Sequence, residues 1–380
     1  MKALPAPPRI AIRMGGAGVR ALLPCAAMAV GLGLVLLAAS SAFPGGIDYS
    51  SAPAVFPGVG DAVVFRDLSV RPWAGHGYAP FFPLYPILIR LLTPVVGGHR
   101  AVAAIVISLI ATSIGLWALT ALTERFYGDI IARRAAWYAL LSPVSFYLLN
   151  GYSEGLFFGL AAVCLLCASR ARWGWAGIAG AAACLTRLWG IFLFPALLAA
   201  YIEHCVSTRS VPVRWQDVAG IMLVPLAWLA WVLFIGHSSG NLLEVFVVEH
   251  EQFRRSLTLP LAGMGMTIPM CFVRDYPLCL LNLDKLVWAL GWAFVMWHGR
   301  RVLWTPLLVY LASGAALLCL AAPEQSVPWW NLDRFLMVLV PGYMVLAQMP
   351  WRPAVHRLAL CLSAALLLAL WTLFVHGYAG

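Results

Sequence analysis

Two carboxylates six residues apart, Asp61 and Asp67, open a stretch that also carries His76 and a dense run of aromatics and prolines, residues 58–86 (GVGDAVVFRDLSVRPWAGHGYAPFFPLYP). Far along the chain, Tyr152, Ser153 and Glu154, then Arg187, then Asp333 and Arg334 interrupt segments that are otherwise apolar. A positioned carboxylate can take the proton of a hydroxyl nucleophile. An arginine can bind phosphate oxygens through its planar fork. Each residue also has a plainer role. Asp61 follows Gly58, Val59 and Gly60 and can simply cap a helix, a contribution of ~1 kcal/mol. Asp67 stands four residues before Arg71, the spacing of an ordinary surface ion pair. His76 has no second ligand near it in sequence and reads as a polar contact rather than a metal ligand. Glu154 can serve merely to neutralise Arg187, and Arg334 can be an interfacial residue whose charged tip reaches water. No HExxH, paired CxxC or acidic metal cluster occurs, and no glycine-rich phosphate loop follows a strand. No metal or other cofactor is expected.

The elements that must hold these residues are helices. Residues 61–70 predict a short amphipathic helix with Phe65 and Leu68 on the face of Asp61, because positions three, four and seven apart share a face. Beyond it, Pro72, Pro80, Pro83 and Pro86 exclude a single regular helix, and the aromatic run Tyr78, Phe81, Phe82, Tyr85 is expected at the membrane surface. Composition sets the solvent: of 380 residues 62% are hydrophobic and 11% charged, with a mean hydropathy of +0.87. This is the profile of a polytopic membrane protein, all-α, in a single integral membrane domain over 1–380. The net charge of +10 then reads as cytoplasmic-loop arginines that fix orientation, and no nucleic-acid partner is implied.

Lys2, Arg9, Arg13 and Arg20 precede the first apolar run without an acid among them, which places residues 1–20 in the cytoplasm and 44–100 outside. Small residues near Ser40–Ala42 resemble a signal-peptide site, but the apolar stretch is about 20 residues, and an uncleaved anchor is favoured. The run 174–201 decides the rest, because Thr186, Arg187 and Gly190 interrupt its middle. Two short crossings there keep Arg209, Arg214, Arg300, Arg301, Arg352 and Arg357 inside; one crossing would put all six outside. About eleven spans result, with a large outer loop at 236–283 in which Cys271 and Cys279 could pair. Asp61, Asp67, Glu154, Arg187, Asp333 and Arg334 all fall on the outer side. Ionisable groups inside a membrane cost ~2.5 to 3.5 kcal/mol at a helix centre on insertion scales, so a shared polar cavity is the economical arrangement.

The segments GDAVVFRDLSVRPWAGHGYAPFFPLYPILIRLL, LLSPVSFYLLNGYSEGLFFGLAAV, AGIAGAAACLTRLWGIFLFPALL and LDRFLMVLVPGY resemble, in order and spacing, the motifs of the PIG-V-like mannosyltransferases of the GT-C class. The chain departs at Gly60, where the family usually has Trp, and at Leu188, where it has a Ser-like residue after Thr-Arg. The resemblance implies a GT-C-like fold with a helical extracytoplasmic first loop, in the inner (plasma) membrane. It also implies transfer of a sugar, most simply mannose, from a polyprenyl-phosphate-linked donor to a lipid or glycan acceptor. Under it Asp61 would be the base of an inverting displacement, with Arg334 and Arg187 on the donor phosphate. Asp67, His76, Tyr78, Phe82, Tyr85, Tyr152 and Glu154 would bind substrate, and the 81–86 surface would guide the polyprenyl chain among the membrane lipids. A transporter or flippase of a lipid-linked sugar would use the same cavity without breaking a bond; paired broken helices would be expected of it, and one strongly interrupted stretch is visible. A catalytically silent scaffold would need neither the carboxylate nor the arginines.

Overall fold

The computed structural model describes residues 24–35, 60–71, 73, 78–208, 214–252, 254–273, 276–321 and 326–375. Most of them are helical. In chain order the helices are α1 (Pro24–Val35), α2 (Asp61–Leu68), α3 (Leu84–Leu92), α4 (Arg100–Tyr127), α5 (Asp129–Leu140), α6 (Phe146–Leu149), α7 (Ser153–Ser169), α8 (Trp173–Cys184), α9 (Leu193–Thr208), α10 (Trp215–Ser239) and α11 (Glu244–Glu251). A two-residue strand β1 (Ser256–Leu257) leads into α12 (Pro260–Met270), α13 (Tyr276–Val302), α14 (Thr305–Ser313) and α15 (Ala315–Leu318). The partner strand β2 (Leu320–Ala321) pairs antiparallel with β1, and α16 (Leu332–Leu336), α17 (Pro341–Ala347) and α18 (Pro353–Val375) close the chain. Among the described residues five helices are long and apolar enough to cross a membrane: Arg100–Tyr127, Leu188–Thr208, Trp215–Ser239, Leu278–Val302 and Pro353–Phe374. The remaining apolar helices are shorter, so the expected crossings at 135–150 and 335–349 are not single rods. The first is split into α5 and α6, the second into α16 and α17.

The packing at the centre depends on small residues. α4 and α7 lie so close that a Cβ on Gly155 would run into the Leu148 carbonyl and the Thr112 hydroxyl, and one on Gly159 would meet the Ala111 carbonyl. With lipid as solvent there is little hydrophobic drive between helices, and close backbone approach supplies dispersion contacts instead. Hydroxyls complete the join: Thr112 donates to the Leu148 carbonyl at 2.6 Å and Ser108 to the Tyr152 carbonyl at 3.0 Å. α8 and α10 meet in the same way at Gly177 and Gly220.

Two local expectations differ from the structure. The run Tyr78, Phe81, Phe82, Tyr85 turns into the protein rather than onto the membrane surface: Phe82 and Tyr85 are buried, and Tyr85 donates to the Ala104 carbonyl at 3.0 Å beside Ser108. The prolines are the reason. Residues 79–83 form turns that aim successive rings inward, Phe81 and Tyr85 edge-on to Phe65, Phe82 toward Trp231. Nor do Asp67 and Arg71 form a side-chain ion pair among the described residues, although the Arg71 N–H donates to the Asp67 carbonyl at 3.0 Å. Cys271 and Cys279 are free thiols.

Candidate active site

Gly60 sets the start of the site. It occupies φ +56, a left-handed conformation open to glycine, and a Cβ there would come 2.8 Å from the Tyr152 hydroxyl. The departure from the family's Trp is therefore matched to its surroundings. The turn makes Gly60 the N-cap and delivers Asp61 into the first turn of α2. Ala62, Phe65 and Leu68 are the buried residues of the helix, and Phe65 and Leu68, four and seven positions on, share the face of Asp61.

Four charged side chains from four distant segments then converge. Nη2 of Arg334 stands 2.6 Å from Oδ2 of Asp61, an ion pair off the line of a hydrogen bond, while Nε of the same guanidinium donates to Oε1 of Glu154. Nη1 of Arg187 pairs with that same Glu154 oxygen and lies 3.4 Å from the Ser153 hydroxyl. Glu154 is fully buried and Arg334 nearly so, whereas the Asp61 side chain keeps 30% of its exposure. Asp61 is thus the member of the cluster that faces out. Two positive and two negative charges balance, so their mutual attraction offsets part of the desolvation cost of burying them. The faces of Tyr152 and Tyr147, centred 4.7 and 5.2 Å from Arg334, add a cation–π floor.

Above the cluster lies an open cleft. Asp61, Arg187 and Arg334 line it, together with Phe82, Ser153 and Asn331. Its far wall comes from residues the sequence reading passed over, Glu249 on α11 and Arg255 just before β1, joined at 2.9 Å. Arg187 and Arg255 both lie against the ring of Phe335, at 5.3 and 5.1 Å from its centre. Nothing in the periodicity of 236–283 marks these two residues; the long-range contact of Arg255 with Phe335 of α16 and its pairing with Glu249 do. Glu154 sits beneath the cleft and Tyr152 under Arg334. Tyr78 lies against Phe81 at 6.2 Å, and neither it, Tyr85 nor Asp67 lines the cleft. His76 falls outside the described residues.

Fold and site together define a class, an all-helical integral membrane protein of GT-C-like architecture. Over 147 residues the chain is 33% identical to GPI mannosyltransferase 2 of Yarrowia lipolytica, a match covering 36% of this chain and 41% of that protein. In fold it is similar to the crystal structure of ArnT from Cupriavidus metallidurans bound to undecaprenyl phosphate, with a TM-score of 0.53 and 14% identity, over 92% of this chain and 64% of that one. The chain thus matches less than half of the length of the curated relative and just under two thirds of ArnT. No family model matches the chain. The resemblance to PIG-V-like GT-C proteins, read from the motifs, is borne out by the relative and by the fold.

Proposed function

We propose that this protein is a membrane glycosyltransferase that moves a sugar, mannose by its relative's name, from a polyprenyl-phosphate-linked donor to a hydroxyl of a lipid or glycan acceptor, outside the cytoplasm. The observation that carries the reading is the partly exposed Asp61 carboxylate at the rim of a cleft that Arg187 and the buried Arg334 also line. The bound undecaprenyl phosphate of the ArnT structure supports a polyprenyl phosphate in the same fold.

The chemistry follows from the charges. The acceptor oxygen attacks the anomeric carbon from one face as the carbon–oxygen bond to the phosphate breaks on the other, inverting the centre. The acceptor's proton passes to Asp61. The leaving phosphate is already a stable anion, so it needs donors more than a proton. Arg334 and Arg187 supply them, their guanidinium forks suited to phosphate oxygens. Arrival of that phosphate gives Arg334 a third anion to bind, beside Asp61 and Glu154, and loosens its hold on the Asp61 oxygen that must take the proton. Glu154, gripping both arginines from below, keeps them in place while this happens. Phe82, Ser153 and the Glu249–Arg255 wall face the remaining space, where sugar and acceptor meet.

The extracytoplasmic placement is supported by where the arginines lie. At the end of the bundle opposite the cleft, Tyr127 donates to the Val302 carbonyl at 2.9 Å, Phe126 stacks on Trp304, and the Trp304 indole donates to Glu203. Arg125, Arg300 and Arg301 stand beside these contacts, the charge that stays in the cytoplasm. The test is transfer of labelled mannose from a short-chain polyprenyl-phosphate mannose to lipid by the purified protein in liposomes. Labelled product supports the reading. Movement of intact donor across the bilayer with no new glycosidic bond would make the protein a transporter instead.

A further inference from the structure

Lys285 takes no part in the chemistry above, yet it is 8% exposed on a membrane-embedded helix, α13. A cation in that position needs a reason. Its Nζ lies 2.8 Å from Oδ1 of Asp333 and 2.9 Å from Oδ2 of Asp284. Asp333 immediately precedes Arg334 on α16. Neighbouring residues of a helix project ~100° apart, so one short rod carries an acid toward α13 and a base toward the cleft. Oδ1 of Asp333 has no aligned hydrogen bond, which leaves the ammonium charge as its balance. At five residues α16 is too short to hold its own shape in isolation, and its side-chain contacts therefore set its roll. Asn331, at φ +66, and the irregular stretch between α16 and α17 let it turn at either end.

We propose that Lys285 is a positioning residue for Arg334: its pairing with Asp333 fixes the roll of α16 and keeps the Asp333 carboxylate from competing with Asp61 for the guanidinium. Without the ammonium, Asp333 is a buried charge with Arg334 as its neighbouring cation. The low-cost relaxation is a turn of α16 that draws Arg334 toward Asp333 and away from the cleft. The inference rests on the reading that Asp61 and Arg334 form the reacting centre, and it requires a partner charge rather than any one shape at 285.

The test is carried out on the full chain in detergent, with two readouts. First, the thermal coupling between Asp61 and Arg334 is measured from Asp61→Asn, Arg334→Lys and the double variant, in the native and the Lys285→Met backgrounds. It is expected to vanish with Lys285→Met and to return when Asp333→Asn is added. Second, in the transfer assay Lys285→Met is expected to lose at least about tenfold in kcat, as a displaced catalytic group does. Lys285→Met/Asp333→Asn should recover to within about threefold of the native rate, and Lys285→Arg should keep most of it. Unchanged coupling in Lys285→Met overturns the proposal. So does a double variant that regains its melting temperature but not its coupling or turnover. Should Lys285→Met fail to fold, the double variant and Lys285→Arg decide by the same criteria. The coupling needs no substrate, so a native protein that transfers no sugar removes the transferase reading and leaves this one to be settled on melting temperatures.

Discussion

Arg334 is the residue on which the site turns, because one guanidinium touches both carboxylates of the cluster and faces the cleft as well. Truncating it leaves Glu154 with Arg187 alone and Asp61 with none of the charge now beside it. Breaking a buried pair in this way costs ~3 to 5 kcal/mol, so Arg334→Ala is expected to lower the melting temperature as well as abolish transfer. Arg334→Lys separates the two roles. It keeps the charge but cannot reach two carboxylates and a phosphate with one planar fork. We expect it to fold and to show KM for the polyprenyl-phosphate donor raised more than KM for the acceptor, in steady-state assays with each substrate varied in turn. Equal effects on both would argue that Arg334 only braces the fold. The sequence showed Asp61, Glu154, Arg187 and Arg334 as polar interruptions of apolar runs, which is how buried charge announces itself. It did not show Glu249, Arg255 or Lys285. The first two lie in a stretch without helical periodicity, and the third is one ionisable residue at the start of a long span, where an interfacial lysine would look the same.

At the scale of elements, α7 holds Glu154 in place, and α7 is held by glycine. Gly155 sits against the Leu148 carbonyl and Thr112 of α4, directly after the carboxylate that grips both arginines. Gly155→Ala must push α7 off α4, an overpacking cost of ~1 to 3 kcal/mol. Its effect on rate should exceed its effect on stability, since Glu154 moves with the helix. The check is to compare melting temperature and kcat with those of Gly174→Ala, whose Cβ would meet nothing within 4 Å. A loss of stability without a loss of turnover per folded molecule would show that Glu154 tolerates the shift. The break between α8 and α9 was legible for a physical reason, since Thr186 and Arg187 cannot be left in lipid. The inward turn of Phe81, Phe82 and Tyr85 was not. Prolines state that a helix stops, but not where the freed chain points.

Over the whole molecule, paired acids and arginines gather at the cleft end of the bundle, and Arg125, Arg300 and Arg301 lie toward the other. That polarity was read from loop charges, and the proposal that the cleft opens outside the cytoplasm rests on it. Asn241 lies exposed past the cleft end of α10, and Ser207 lies exposed near the far end of α9. In a background lacking other reactive thiols, Asn241→Cys should be labelled by an impermeant maleimide in intact cells, and Ser207→Cys only after permeabilisation. The reverse pattern would turn the protein over and put the cleft in the cytoplasm. The count of crossings was less legible than their direction, because several helices here are too short for the ~20-residue criterion and work in pairs.

The central claim is that Asp61 accepts the proton of the attacking hydroxyl, and Asp61→Asn tests it most directly. Asparagine is nearly isosteric but cannot act as a base. Initial rates of sugar transfer in liposomes, at equal folded protein and with melting temperatures recorded, are to be compared with those of Asp67→Asn on the same helix. The expected result is a fall of about 100-fold or more for Asp61→Asn with the fold retained, and little change for Asp67→Asn. Transfer at near the native rate by folded Asp61→Asn would contradict the account.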